Sequence, residues 1–169
     1  VNFWIEKGVK GFRFDVINLI SKPAIYEDDL EGDGHRFYTD GARIHEFLHE
    51  LNRETFGPHE DIITVGEMAS SDLPNSIRYS RREEQELSMI FDFHHLKIDY
   101  PSGNKWEVQP FRFHDLKKNL FAWQEGMEQG GGWNALFWDN HDQPRIVSRL
   151  GDEGSLRKLS AKMLATALH

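Results

Sequence analysis

The sequence lacks cysteine, lacks long hydrophobic runs and lacks an excess of positive charge. Without cysteine, neither a disulfide scaffold nor a thiolate zinc site can form. No apolar run approaches the length of about 20 residues that a membrane-spanning helix needs. Twenty Lys and Arg residues against 28 Asp and Glu residues give a net charge of -8, which disfavours a nucleic-acid surface. We therefore expect a globular protein whose partner is a small molecule, with no nucleic-acid and no membrane partner.

The remaining composition is that of a folded domain. With 169 residues, of which 38% are hydrophobic, the chain is long enough to bury a core, and no linker, repeat or low-complexity tract divides it. Four short apolar runs alternate with helical patterns, as parallel β/α units do. The predicted strands are 12–16, 61–67, 87–93 and 134–140.

Three apolar stripes predict helices that pack against the sheet. The first stripe lies within 44–51, and its helix is predicted to end at the helix-breaking pair Gly57 and Pro58. The second stripe lies within 116–127, and its helix is predicted to end at three consecutive glycines. Ser155 is predicted to cap a third helix. The stripe residues, all expected in the core, are Ile44, Phe47, Leu48 and Leu51, then Leu116, Leu120, Trp123 and Met127, then Leu156, Leu159 and Met163.

Three carboxylates lie at or just beyond the C-terminal ends of separate predicted strands. They are Asp15, Glu67 and Asp142. Parallel β/α folds place their active sites at that edge, so we expect the three groups to converge. A buried carboxylate costs several kcal/mol unless it is paired or hydrogen-bonded. Arg13 shares a strand face with Asp15 by the two-residue period and can pair with it.

Retaining glycoside cleavage needs such an arrangement. One ionised carboxylate attacks the anomeric carbon, and a protonated partner about 5 to 5.5 Å away assists the leaving group. A cation beside the nucleophile lowers its pKa, which Arg13 can do for Asp15. Burial raises the pKa of an acid, and Glu67 follows an apolar strand. Gly66 beside it would let a ligand or backbone come close.

Three segments of the chain resemble signature regions of the α-amylase family of glycoside hydrolases, in its oligo-1,6-glucosidase-like branch. The segments are "GVKGFRFDVINLISK", "TVGEMAS" and "FWDNHDQPRIVSRLGD". The resemblance implies that Asp15 is the nucleophile, that Glu67 is the general acid/base and that Asp142 binds sugar hydroxyls and steadies the transition state. It also implies that Arg13 orients the nucleophile and that His141 contacts the sugar in the first subsite.

The same resemblance implies the fold, an eight-stranded parallel β/α (TIM) barrel. The three segments would lie on its fourth, fifth and seventh strands, so residues 1–169 would form a single partial catalytic domain, about half of the barrel, truncated at both ends. The family's first signature is expected before Val1 and the eighth strand after His169. No cofactor is implied, and the location implied is cytoplasmic.

One further segment bears on the substrate. Within that branch, "FDFHHLKIDYPSGNKW", residues 91–106, is most similar to members that hydrolyse trehalose 6-phosphate to glucose and glucose 6-phosphate. His94, His95, Lys97 and Lys105 could hold the phosphate, because lysine acts on phosphate as a compact charge and histidine can add a hydrogen bond. The alternative is a solvated lysine and a His pair bonded to the backbone.

Two other functions stay open. One is an oligo-1,6-glucosidase acting on neutral isomalto-oligosaccharides, and the other is a non-catalytic family member that serves as a binding subunit. The presence of Asp15, Glu67 and Asp142 argues against the second.

A metal motif is also present. "HEFLH", from His45 to His49, matches the H-E-x-x-H pattern of zinc proteases. Its predicted position is a helix on the outer wall, and a protease would need a third ligand and a site open to substrate. We therefore expect surface histidines and no metal.

Overall fold

The computed structural model describes nearly the whole chain. The described residues are 1–100, 103–107, 109–110 and 112–168. Residues 101 and 102, within the segment predicted to bind phosphate, lie outside them. The chain divides into two compact units, Val1–Phe93 with Trp123–Ala135, and His94–Ala122 with Leu136–His169.

A three-stranded parallel sheet forms the centre of the first unit. Its strands are β1 (Gly11–Phe14), β2 (Ile63–Glu67) and β3 (Met89–Phe91), in the order β1-β2-β3. The first three predicted strands are thus confirmed in type, each with shorter bounds. Their parallel pairing is consistent with part of a β/α barrel.

The fourth predicted strand, 134–140, is wrong. In the described part of this segment only Asn134 makes a β-bridge, to Ile90. Ala135 N–H donates to the Ile90 carbonyl at 2.7 Å, and Ile90 N–H donates to the Trp133 carbonyl at 3.1 Å. Since β3 ends at Phe91, it offers no further backbone for a ladder. An apolar run alone does not make a strand, because a strand needs an extended partner.

Three α-helices lie wholly within the first unit. They are α1 (Asn2–Glu6), α2 (Ile44–Leu51) and α3 (Leu73–Ser80). The predicted helix is confirmed: α2 covers the apolar stripe, and a π-helical turn, Asn52–Phe56, continues it to Gly57, where the sequence predicted its end. Helix α3 begins where the Asp72 carboxylate accepts from the Asn75 N–H at 2.9 Å, a standard N-cap.

Apolar side chains from these elements form one core. Helix α4 (Phe113–Gln129) was also predicted, and its residues Leu116, Leu120 and Met127 are buried as expected. The buried cluster of the first unit comprises Ile17, Ile44, Leu48, Phe56, Met68, Tyr79, Leu87, Ile90 and Met127.

The second unit also contains α5 (Ile146–Leu150) and α6 (Arg157–Leu168). The prediction that Leu156, Leu159 and Met163 pack in the core is wrong, because these side chains are more than half exposed. The residues of α6 that are buried are Leu164 and Leu168. Apolar residues lie on several sides of this helix, so their spacing does not determine which side is buried.

No helix in the described ranges is both long and apolar enough to cross a membrane.

Candidate active site

The site is built on the carboxyl ends of β1 and β2. The register pairs Phe14 with Gly66, which places Asp15, the next residue, opposite Glu67, the last residue of β2. Parallel strands bring their carboxyl ends to one edge. The sequence prediction that these two carboxylates lie together is therefore met by the backbone geometry within the first unit.

One guanidinium binds both carboxylates. Arg13 donates through one terminal nitrogen to Asp15 Oδ1 and through the other to Glu67 Oε2. The two acids differ in environment: the Asp15 side chain is 72% exposed and the Glu67 side chain 6% exposed. The guanidinium also lies 5.6 Å from the ring centroid of Phe91, within the range of a cation–π contact.

Burial is the main cause of a shift in the Glu67 pKa. Removal from water raises the pKa of its carboxyl, and the neighbouring Asp15 carboxylate raises it further. The Arg13 charge and the Val16 N–H lower the pKa, but the net shift is upward. A carboxyl that keeps its proton at higher pH is what a general acid requires.

Val16 has an unusual backbone. Its φ of 37° and ψ of 44° are left-handed, a region that β-branched residues rarely adopt. In this conformation its N–H lies 3.4 Å from Glu67 Oε2. The strained residue thus follows Asp15 directly and faces Glu67, and backbone strain of this kind is common at functional sites.

Gly66 has a packing role. A Cβ at this position would lie 2.6 Å from Leu87 Cδ1, 2.7 Å from Met68 Cε and 3.0 Å from Ile17 Cγ2. The space that we expected to admit a ligand is therefore filled by apolar side chains. The glycine allows close packing beneath the strand edge that carries Asp15 and Glu67.

The third carboxylate lies in the second unit. Asp142 is exposed, its N–H donates to Asn140 Oδ1 at 2.8 Å, and its Oδ2 lies 3.1 Å from His141 Nε2. Lys105 Nζ donates to the Asp142 main-chain carbonyl at 2.5 Å. Three predicted site residues, His141, Asp142 and Lys105, are thus neighbours within this unit.

The other predicted phosphate ligands have different surroundings. Lys97 is exposed, whereas His95 is buried and its Nε2 lies 2.6 Å from the Phe137 carbonyl oxygen. That distance is a hydrogen bond to the backbone, which is the alternative role given above for the His pair. His94 is partly buried, in a short 3₁₀ helix with His95.

The "HEFLH" histidines contact a buried carboxylate. His45 Nδ1 lies 2.8 and 3.0 Å from the two oxygens of Glu86, and His49 Nε2 lies 3.3 Å from one of them. The expectation that both histidines are surface residues is wrong for His45, whose side chain is 14% exposed. His49, Glu84 and Glu86 place possible ligand atoms within 4.8 Å of one another, but Arg81 already binds Glu84.

The absence of a metal therefore stays a prediction, and a zinc assay after dialysis tests it. A stoichiometric ion would contradict it.

Sequence reasoning missed two contributors to the edge, the Val16 N–H and the Phe91 ring. Val16 was predicted to lie in a strand, because nothing about a β-branched residue indicates a left-handed backbone. Phe91 could have been found from register, because the pairing of Glu67 with Phe91 brings the third strand level with the carboxylates.

Known proteins resemble the chain over its whole length. The model of the alpha amylase catalytic domain matches residues 1–169. The trehalose-6-phosphate hydrolase of Bacillus subtilis is 60% identical over 100% of this chain and 30% of its own length. The oligo-1,6-glucosidase of Bacillus cereus is 48% identical over 100% of this chain and 31% of its own length.

Solved structures are similar as well. The crystal structure of Bacillus licheniformis trehalose-6-phosphate hydrolase aligns with a TM-score of 0.92 at 63% identity, over 99% of this chain and 30% of that one. Isomaltulose synthase from Erwinia rhapontici aligns with a TM-score of 0.87 at 35% identity, over 98% of this chain and 30% of that one. The chain thus spans about a third of the length of these relatives.

Proposed function

Since the chain belongs to the α-amylase family, we propose that the protein containing it is a retaining α-glucoside hydrolase that converts trehalose 6-phosphate to glucose and glucose 6-phosphate. The observation that carries the chemistry is the shared guanidinium: Arg13 binds an exposed Asp15 and a buried Glu67 at one strand edge. The 60% identity to a trehalose-6-phosphate hydrolase supports the substrate.

The two carboxylates suit the two steps of a retaining mechanism. In the first step, Asp15 attacks the anomeric carbon while Glu67 gives its proton to the glycosidic oxygen, which leaves as the hydroxyl of glucose 6-phosphate. In the second step, Glu67 takes a proton from water, and that water displaces Asp15 and releases glucose. Arg13 binds Asp15 and aims it, and the upward shift of the Glu67 pKa keeps its proton available.

We assign the remaining predicted residues by the same family pattern. Asp142 would bind sugar hydroxyls and His141 would contact the glucose ring. For the phosphate, Lys105 is supported by its bond to the Asp142 carbonyl, and Lys97 by its exposure. His95 is the weakest of the proposed ligands, because its Nε2 is bonded to the Phe137 carbonyl.

The strands have corresponding places in the proposed barrel. β1, β2 and β3 would be its fourth, fifth and sixth strands, and the segment at Asn134 its seventh. The parallel register of β1 with β2 and of β2 with β3 supports this order. In this proposal residues 1–169 form part of one catalytic domain. The location that the family resemblance implies is cytoplasmic.

Hydrolysis by the full-length protein tests the function. We expect trehalose 6-phosphate to be cleaved much faster than trehalose or isomaltose, with the α-anomer of glucose released first. Faster cleavage of isomaltose would favour the oligo-1,6-glucosidase alternative, supported by the 48% identical relative. Absence of any cleavage would favour the binding subunit.

Replacement of the carboxylates tests the roles. Asp15→Asn and Glu67→Gln should each lower kcat at least about 10³-fold, since each removes a reacting group. Asp61→Asn is the matched control, because Asp61 pairs with Lys10 before the start of β2 and its side chain is 64% exposed. Near-normal turnover by either active-site variant would refute its assignment.

Lysine variants test the phosphate contacts separately. Lys97→Ala and Lys105→Ala should lower kcat/KM for trehalose 6-phosphate about tenfold or more, and for trehalose hardly at all, because a charge-assisted hydrogen bond is lost only with the phosphate. Lys10→Ala is the control, an exposed lysine paired with Asp61. Equal losses on both substrates would refute the assignment.

A further inference from the structure

We propose that Asn18 is a positioning residue that holds Glu67 in place for proton transfer, by joining the segment after β1 to the segment after β2. The inference rests on the proposed function, since it assigns Glu67 as the general acid. Asn18 is fully buried, and it lies three residues after Asp15.

The Asn18 side chain forms a two-bond pair with the backbone of one residue. Its Oδ1 accepts from the Ala69 N–H at 2.9 Å, and its Nδ2 donates to the Ala69 carbonyl at 3.0 Å. Paired residues of two antiparallel strands form a similar pair of hydrogen bonds, in which each residue donates to and accepts from the other. The regular pairing of β1 with β2 ends at Phe14 and Gly66, so the amide continues the connection beyond the strands.

This connection spans the two reacting groups. Ala69 lies two residues after Glu67, and the Asn18 contact fixes its backbone against the segment that carries Asp15. The Val16 N–H faces the Glu67 carboxylate from the same segment, at 3.4 Å. Displacement of Ala69 would therefore shift Glu67 relative to both Arg13 and Asp15.

Asp40 fixes the orientation of the amide. Its Oδ1 accepts from the second hydrogen of Asn18 Nδ2, at 2.9 Å, and its N–H donates to the Asn18 carbonyl at 3.1 Å. An ionised carboxylate only accepts hydrogen bonds, so the amide nitrogen must face it. Tyr79 donates to Asp40 Oδ1 at 2.7 Å, and Ser71 and Asn75 donate to Oδ2 at 3.1 and 3.3 Å.

The donors to the Asp40 carboxylate, which are Asn18, Ser71, Asn75 and Tyr79, hold it in place. With Nδ2 directed at Asp40 and Ala69, only Oδ1 can meet the Ala69 N–H. The orientation of the amide is therefore set by its hydrogen bonds.

Leaving-group dependence distinguishes positioning of the acid from a merely structural role. Trehalose 6-phosphate needs a proton on its leaving oxygen, whereas fluoride leaves α-glucosyl fluoride without one. In the full-length protein, Asn18→Ala should lower kcat/KM for trehalose 6-phosphate about 10- to 100-fold, the size expected from a misplaced catalytic group. For α-glucosyl fluoride the loss should stay below about threefold.

Two further variants complete the experiment. Asn52→Ala is the matched control. Asn52 is partly buried, and its side chain donates to the carbonyl of Glu86, before the start of β3, at 2.9 Å. This variant should change kcat/KM for the two substrates equally. Asp40→Asn carries the same test if Asn18→Ala does not fold. It keeps Asn18 but replaces an acceptor oxygen of residue 40 by a donor. We expect a smaller loss of kcat/KM than with Asn18→Ala, again larger for trehalose 6-phosphate than for α-glucosyl fluoride.

Each outcome decides the inference. Equal losses on the two substrates, or a lowered Tm with unchanged kinetics, would overturn the role of Asn18 and leave the proposed function standing. If the unaltered protein cleaves neither substrate, the proposed function fails and the inference fails with it.

Discussion

At the scale of single residues, Asp15 and Glu67 share one cation but not one environment. The first is mostly exposed and the second mostly buried. Burial raises the pKa of the buried acid, while the exposed one keeps its contact with Arg13 and water. In the proposed reaction, this difference in burial suits the two carboxyl groups to opposite roles.

The raised pKa of Glu67 predicts a pH dependence of stability. The folded state binds this proton more tightly than the unfolded state, so the free energy of unfolding falls as pH rises from the ordinary glutamate pKa, about 4.3, through the raised folded pKa. Glu67→Gln should flatten this slope and be no less stable near neutral pH. Urea unfolding at several pH values measures it, with exposed Glu60→Gln as the control. An unchanged slope in Glu67→Gln would contradict the prediction.

The packing around Gly66 predicts a loss of stability on substitution. Gly66→Ala should lower the free energy of unfolding by about 1–3 kcal/mol, the usual cost of overpacking a core, since its Cβ would overlap Leu87 and Met68. Gly11→Ala is the control in β1, because its Cβ would meet Ile63 Cγ2 at an ordinary 3.4 Å. Thermal unfolding of the two variants compares them, and equal Tm values would refute the packing role.

At the scale of elements, α2 is joined to the segment before β3 by His45 and Glu86. The carboxylate is fully buried, and burial of a charge requires a partner. The two residues are 41 positions apart, so the contact ties a helix to the segment that leads into β3 later in the chain. The first histidine of the "HEFLH" motif therefore has a structural role.

Removal of that partner should be costly. We expect His45→Ala to lower the free energy of unfolding by about 3 kcal/mol, because breaking a buried pair leaves an uncompensated charge. His35→Ala, at a 52% exposed histidine paired with Asp33, should change it by less than about 1 kcal/mol. Urea unfolding of both variants near neutral pH is the measurement. A small effect of His45→Ala would show that His49 alone satisfies Glu86.

The sequence predicted some elements better than others, for physical reasons. Three strands and α2 were correct in type, because each is a short apolar run or an apolar stripe at helical spacing. The pattern did not give the buried side of β2, where Ile63 is 49% exposed and Thr64 is 1% exposed. The 134–140 run failed because strand formation depends on a partner, and β3 offers Asn134 only one pairing residue. The buried side of α6 could not be predicted, since its apolar residues lie on several sides.

The same distinction holds at the candidate site. Asp15 and Glu67 were predicted to meet because both end parallel strands, a rule that depends only on order along the chain. The Asn18 and Asp40 pair was not found, because it joins side chains 22 positions apart, one in a short 3₁₀ helix and one in a turn, and neither lies in a strand. The grouping of Asp142 with the first two carboxylates stays a prediction.

At the scale of the whole molecule, the chain is a part of the proposed barrel. It spans about 30% of the length of the trehalose-6-phosphate hydrolases that it resembles. In the described ranges β1 pairs only with β2, so one sheet edge has no strand beside it. Large apolar side chains are also exposed, among them Ile25, Tyr26 and Leu30, at 75%, 79% and 92%.

These features predict the behaviour of residues 1–169 produced alone. Unpaired strand edges and open apolar surface promote association, so we expect oligomers or aggregates in light scattering after size exclusion. We also expect little hydrolysis of trehalose 6-phosphate, because part of the proposed pocket would be missing. The full-length protein is the control. A monomer with full turnover would contradict both expectations.

Val16 has a consequence for how the site can evolve. Glycine or asparagine would adopt its left-handed backbone with less strain, so selection for stability alone should replace the valine. Selection for turnover should retain whichever side chain keeps the N–H directed at Glu67. A library randomised at position 16 can be sorted separately for heat resistance and for turnover. We expect the two sorted pools to differ in sequence, because stability and catalysis would favour different residues at this position.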